Sequence, residues 1–164
     1  MKLALLVLAA IAVIPVTGTG HSMHRGERDY LPDEAASKVV TVTAGEQSAD
    51  AGITVLTQAV AIRETGPKQT VARFGEVYVF APSFFAVHRD ESTAVSFWNL
   101  QADDDHDFML ADPDLNVLMK VKLPALQKAS WVFTFHREGL FNFYCTMHQP
   151  AMSGQIIVLP PTAQ

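Results

Sequence analysis

An all-β sandwich is the fold that this sequence predicts. Three observations carry the prediction. Short runs rich in Val, Thr, Ile and aromatic residues recur along the chain. Turn residues separate those runs at short intervals. Helical periodicity is almost absent. A set of short strands with one apolar face each is stable when two sheets bury those faces against one another.

The elements follow in chain order. Met1-Lys2 is followed by an unbroken apolar run, Leu3 to Ile14, which Pro15 stops. That run is shorter than the roughly 20 residues needed to cross a bilayer and has the flanks of a secretory leader. Residues 1–20 are therefore expected to be a signal peptide, cut after Gly18 or Gly20. The protein is expected to be exported, periplasmic or otherwise, with no membrane span once the leader is gone. What remains is about one domain's length. The formal net charge of −5 argues against nucleic acid as a partner.

Residues 21–68 read as an N-terminal arm with extra strands. Ser22 to Lys38 is polar and mixed, with a turn at Tyr30-Leu31-Pro32-Asp33. His21, Met23 and His24 sit near its start. Lys38 to Thr43 and Ile53 to Ile62 read as strands. Gly66-Pro67 is a break, after which Gln69 to Phe74 and Val77 to Ala81 begin the core of the main domain, residues 69–164. Phe84 to His88 and Ala94 to Leu100 are expected to form a β-pair around the polar turn Arg89-Asp90-Glu91-Ser92. His88, beside that turn, is expected to face solvent. Gln101 to Asp105 is a polar loop ending in an acidic run, and it delivers His106 to the start of a new apolar strand. Asp112 to Asn116 is a turn and Val117 to Val121 a short strand. Trp131, Phe133 and Phe135 alternate along another strand. His136-Arg137-Glu138-Gly139 is a hairpin-like turn with His136 exposed. Leu140 to Cys145 and Gln155 to Leu159 complete the set.

The chemistry concentrates in Phe141-Asn142-Phe143-Tyr144-Cys145-Thr146-Met147-His148-Gln149-Pro150-Ala151-Met152. Two-residue alternation puts Phe141, Phe143 and Cys145 on one strand face, the core side, with Asn142 and Tyr144 on the other. A lone cysteine is most often an inert apolar residue. In an exported protein, however, one cysteine cannot form an internal disulfide and calls for an explanation. A thiolate, an imidazole and a thioether on one tight loop are the soft and borderline donors that copper favours. A mononuclear site of this kind needs a second histidine from elsewhere in the chain. No GxGxxG, P-loop or Ser/His/Asp arrangement is present.

Tyr144-Cys145-Thr146-Met147-His148, then Met152, then Gly154-Gln155-Ile156-Ile157-Val158, resembles the ligand loop and last strand of the plastocyanin and pseudoazurin group of cupredoxins. The likeness spans residues 70–159 as a pattern and is specific in the last thirty or so. The spacing from His148 to Met152 falls between those of plastocyanin-like and amicyanin-like loops, and Met147 stands where many members carry proline. From His106 onward the chain also resembles the copper domain of cytochrome c oxidase subunit II. That domain needs two cysteines, so Cys145 alone excludes a dinuclear centre. The resemblance implies a Greek-key β-sandwich holding one type 1 copper ion. Its ligands would be His106, Cys145 and His148, with Met152 as the weak axial donor. It also implies that the backbone N–H of Asp107 bonds the thiolate. Family members commonly carry Asn at that position, and a carboxylate so near the copper favours Cu(II).

The function expected is electron carriage between redox partner proteins, a c-type cytochrome or a terminal oxidase among them, by a monomer that is not an enzyme. The alternative is a copper-binding module for delivery, storage or oxidase assembly. Asp103-Asp104-Asp105 is read as an acidic run that steers a cationic partner.

Overall fold

The computed structural model describes residues 28–45 and 48–163. The expected leader, its cleavage sites and His21, Met23 and His24 lie outside the described residues. Among the described residues no helix is long and apolar enough to cross a membrane.

Among the described residues ten strands form two five-stranded sheets, the all-β sandwich expected. The strands are β1 (Val40–Ala44), β2 (Ala51–Ala61), β3 (Val77–Ala81), β4 (Phe84–His88), β5 (Ser92–Asn99), β6 (His106–Ala111), β7 (Val117–Leu123), β8 (Lys128–Phe135), β9 (Gly139–Tyr144) and β10 (Ser153–Leu159). One sheet has the order β1-β8-β5-β2-β3 and the other β4-β10-β9-β6-β7. Two pairings, β2 with β5 and β4 with β10, are parallel. Strand alternation fills the space between the sheets, as in β5, where Thr93, Val95, Phe97 and Asn99 are buried and the residues between them are not. Aromatic rings dominate that core. Phe108 lies against Phe97, Phe133 and Phe143, with ring centroids 4.6, 6.1 and 5.5 Å away, the spacing at which edge and offset arrangements are favourable.

Three sequence expectations are sharpened or changed. First, the strands expected at Lys38 to Thr43 and Ile53 to Ile62 exist, and they join a sheet whose other strands come from residues 69–164. β2 lies between β5 and β3, and Val40 and Val55 are fully buried in the common core. Second, Gln69 to Phe74 belongs to a short helix, α1 (Lys68–Phe74), with no buried residue. Its apolar content is too sparse to fill a core face, and Pro67 before it and Gly75 after it suit helix ends.

Third, β4 and β5 are not paired, for they lie in opposite sheets. Val87 and Val95 enter the same core from its two sides. The turn between the two strands is an arch whose donors are taken by both sheets. Arg89 N–H donates to the carbonyl of Leu159 at 2.9 Å, and Asp90 N–H to that of Phe135 at 2.8 Å. Asp90 adopts φ 62°, a left-handed value that Asp tolerates. The turn before Gly139 also crosses between sheets, from β8 to β9.

At the far end of β9, the start of β10 is closely packed. A Cβ placed on Gly154 would lie 2.3 Å from the Phe143 ring and 2.3 Å from the Ser83 carbonyl oxygen.

Candidate metal centre

β6 begins with His106, and β9 runs out just before Cys145, so the two residues arrive at the same end of one sheet. The loop after Cys145 folds back through its own backbone. Met152 N–H donates to the His148 carbonyl at 3.0 Å, and Cys145 N–H to the Met152 carbonyl at 2.9 Å. The Gln149 side-chain amide donates to the Cys145 carbonyl at 2.7 Å. The loop therefore holds its shape by internal bonds.

His106, Cys145 and His148 come together, with one donor atom from each inside a 4.8 Å limit. The two Nδ1 atoms are 3.1 Å apart. The sulfur lies 3.6 Å from Nδ1 of His148 and 4.0 Å from Nδ1 of His106. Metal bonds of about 2.0–2.3 Å put neighbouring donors roughly 3–4 Å apart, so these separations suit a single ion. Cys145, His106 and Met152 are buried, and His148 is half-buried. The soft sulfur and two imidazoles are a donor set that copper takes well.

Burial favours the neutral forms of His106 and Cys145. Burial, and then the neighbouring His148 imidazole, depresses His106 to about 4. Burial pushes the Cys145 thiol up, opposed by the Asp107 backbone N–H. His106 Nε2 is buried without a hydrogen-bond partner, so the working nitrogen is Nδ1, which faces the sulfur.

The expected bond from Asp107 N–H to the sulfur is present at 3.5 Å. Its side chain adds a tie between the two ligand loops. The carboxylate accepts the Thr146 N–H at 2.6 Å and the Thr146 hydroxyl, and pairs with Lys120 at 3.2 Å.

Two contributors were not legible in the sequence. Tyr78 of β3 is buried, and its ring lies 4.9 Å from His106 and 4.6 Å from His148. Its hydroxyl donates to Asp104, and burial, then that bond, raise its pKa. A tyrosine on a buried strand face needs a partner for its hydroxyl, and that was the one available signal. Asn99, also buried, holds the loop before His106 in place. Its amide donates to the carbonyls of Asp104 at 2.8 Å and Leu123 at 3.0 Å, while its oxygen accepts from Thr57 at 2.8 Å.

The other described histidines stand apart. His88 is half-buried, with Nδ1 2.7 Å from the Pro160 carbonyl. His136 is exposed as expected, yet both ring nitrogens are engaged, Nδ1 with Asp90 at 2.8 Å and Nε2 with Thr41 at 2.9 Å.

A structure of auracyanin B superposes on 75% of this chain and 99% of its own, with a TM-score of 0.53 and 14% identity. The fold is that of the cupredoxins. A multicopper oxidase is similar over 70% of this chain, with a TM-score of 0.52 and 15% identity, but the match covers only 46% of that enzyme. At these identities the likeness is one of fold. No protein-family model and no curated protein sequence matches the chain. In the cupredoxin fold found here, the converging groups lie where β6 begins and β9 ends.

Proposed function

We propose that this protein binds one copper ion at His106, Cys145 and His148, with Met152 as a weak fourth donor, and carries single electrons between redox partners outside the cytoplasm. The observation that carries the reading is the meeting of the single thiol with two imidazole Nδ1 atoms in a buried, internally braced site. Copper, when bound, supplies the Cu(I)/Cu(II) couple. The chain supplies a fixed cage. Strand ends and the 145–152 loop hold the donors near one another before any ion arrives, so little rearrangement accompanies a change of oxidation state.

With Met152 as the fourth donor, this site would leave no position for a substrate, which a catalytic metal would need. Carriage of electrons, without chemical turnover, fits that arrangement. His148 is the more exposed imidazole, and Met147 beside it is 53% exposed. That edge is the natural place for electrons to leave and for a c-type cytochrome or terminal oxidase to dock.

The test is the visible and EPR spectrum of the copper-loaded mature protein and of Cys145→Ser. Wild type should show intense thiolate-to-Cu(II) absorption. Cys145→Ser should lose it while keeping the far-UV signature of the sandwich, because many other residues make the core. Retained absorption in the variant would remove Cys145 from the site. A colourless wild type that exchanges Cu(I) readily would favour delivery or storage instead.

A further inference from the structure

The Asp107 carboxylate is nearly enclosed, with its side chain 6% exposed and that of Lys120 only 16% exposed. An unpaired buried carboxylate is costly, and Lys120 supplies the counter-charge at 3.2 Å. The geometry comes from the β6–β7 ladder. Asp107 lies opposite Lys122 and Met109 opposite Lys120, so Asp107 and Lys120 are diagonal neighbours on one face. The next diagonal pair, Asp105 with Lys122 at 2.5 Å, is open to solvent, with side chains 41% and 55% exposed. The two pairs are alike in their diagonal placement across the ladder and opposite in screening.

The covered pair is connected to the metal centre on both sides of the carboxylate. Asp107 N–H donates to the Cys145 sulfur, and its side chain grips Thr146, the residue after the ligand. Lys120 is pinned at its backbone by the segment before β1. Tyr30 N–H donates to the Lys120 carbonyl at 2.8 Å and Lys120 N–H to that of Tyr30 at 3.0 Å, while Lys122 N–H donates to Asp29 at 2.9 Å.

We propose that Lys120 and Asp107 form a balanced charge pair that sets the reduction potential of the copper site, Asp107 drawing it toward Cu(II) and Lys120 cancelling that pull. The inference rests on the copper reading given above. Both residues are positioning residues that act through charge and do not touch the ion. A carboxylate stabilises the more positive ion and an ammonium the less positive one. Poor exposure leaves both effects weakly screened.

Opposite signs separate this role from a merely structural one. Asp107→Asn keeps an oxygen for the Thr146 N–H and removes the charge. It should raise the Cu(I)/Cu(II) ratio at a fixed electrode potential about tenfold, or about 59 mV for one electron. Lys120→Met should lower the ratio by a similar factor. The double variant should return to within about threefold of wild type, and Lys120→Arg should match wild type. A double-mutant cycle on the metal-free proteins, read by thermal melting, should show coupling between the two positions, since the pair exists without copper. Potentials that shift in the same direction for both single variants, or an unmoved Lys120→Met with an intact visible spectrum, would overturn the charge pair while leaving the copper reading in place. A wild type that takes up no copper overturns both, whatever the cycle shows.

Discussion

His106 and His136 sit at opposite ends of the sandwich and show how differently one side chain can be used. His136, beside the paired arches, has each ring nitrogen bonded to a neighbour, Asp90 or Thr41, and a side chain 36% exposed. Its hydrogen-bonding capacity is spent on holding the two turns and β1 together. His106 is fully buried, has one nitrogen with no partner, and aims the other at a thiol and a second imidazole. One end is polar, satisfied and structural. The other turns two imidazole nitrogens and a thiol toward one another, which is what a binding site looks like before it is filled.

Exchanging each histidine for glutamine should separate the ends most strongly. His106→Gln should weaken copper affinity by at least a hundredfold in a competition titration, since it removes a donor from the set. His136→Gln should leave affinity unchanged and cost about 1 kcal/mol in denaturant unfolding, the worth of an ordinary hydrogen bond. Equal losses of affinity would erase the distinction.

Acid should sharpen it. An imidazole in the unfolded chain titrates near 6.5, whereas folded His106 titrates at about 4. Between those values the unfolded chain binds the extra proton. Stability of the metal-free fold is therefore full above about pH 6.5 and falls as the pH drops toward 4. At pH 5 the His106 contribution to the loss is about 2 kcal/mol. Unfolding midpoints of metal-free wild type and His106→Gln at pH 7 and pH 5 check this, and wild type should lose more. Parallel losses would mean that burial does not hold His106 neutral.

Met152→Leu should keep copper and raise the potential, because loss of a thioether disfavours Cu(II) more than Cu(I). An unchanged potential and spectrum would show that Met152 only fills space. The smallest effect belongs to the acidic run. Asp104 accepts the Tyr78 hydroxyl, and Asp105 pairs with Lys122 and accepts the Ala125 N–H. Asp103 is the exposed member. Asp103→Asn should slow electron transfer to a cationic partner less than about threefold at low salt and not at all at high salt. Stopped-flow rates across ionic strength measure it, and a large change would restore the whole run as a steering surface.

The sequence was most informative where chemistry and periodicity coincided. Alternation along β9 placed Cys145 on the core side, and the spacing of His148 and Met152 confined the loop. It was least informative where the answer depends on which sheet a strand joins. A polar turn between Val87 and Val95 reads identically as a hairpin or an arch, and only the partners waiting at Leu159 and Phe135 decide. The Asp107 tie was hidden for a similar reason, because Thr146 and Lys120 lie far along the chain. Gln69 to Phe74 misled because a seven-residue helix, about two turns with sparse apolar content, carries no more signal than a short strand.

Gly154 bears on how freely this sequence could drift. It contributes no donor, no charge and no side chain, yet the space beside it is already filled by the Phe143 ring and the Ser83 backbone. Phe143 is in turn wedged against Phe80, Phe85 and Phe108. One added methyl group would have to displace that stack or push β10 outward, and β10 begins at Ser153, directly after Met152. The narrowest mutational tolerance near the centre thus extends beyond the residues that would hold the ion to one whose only property is that it takes up no room.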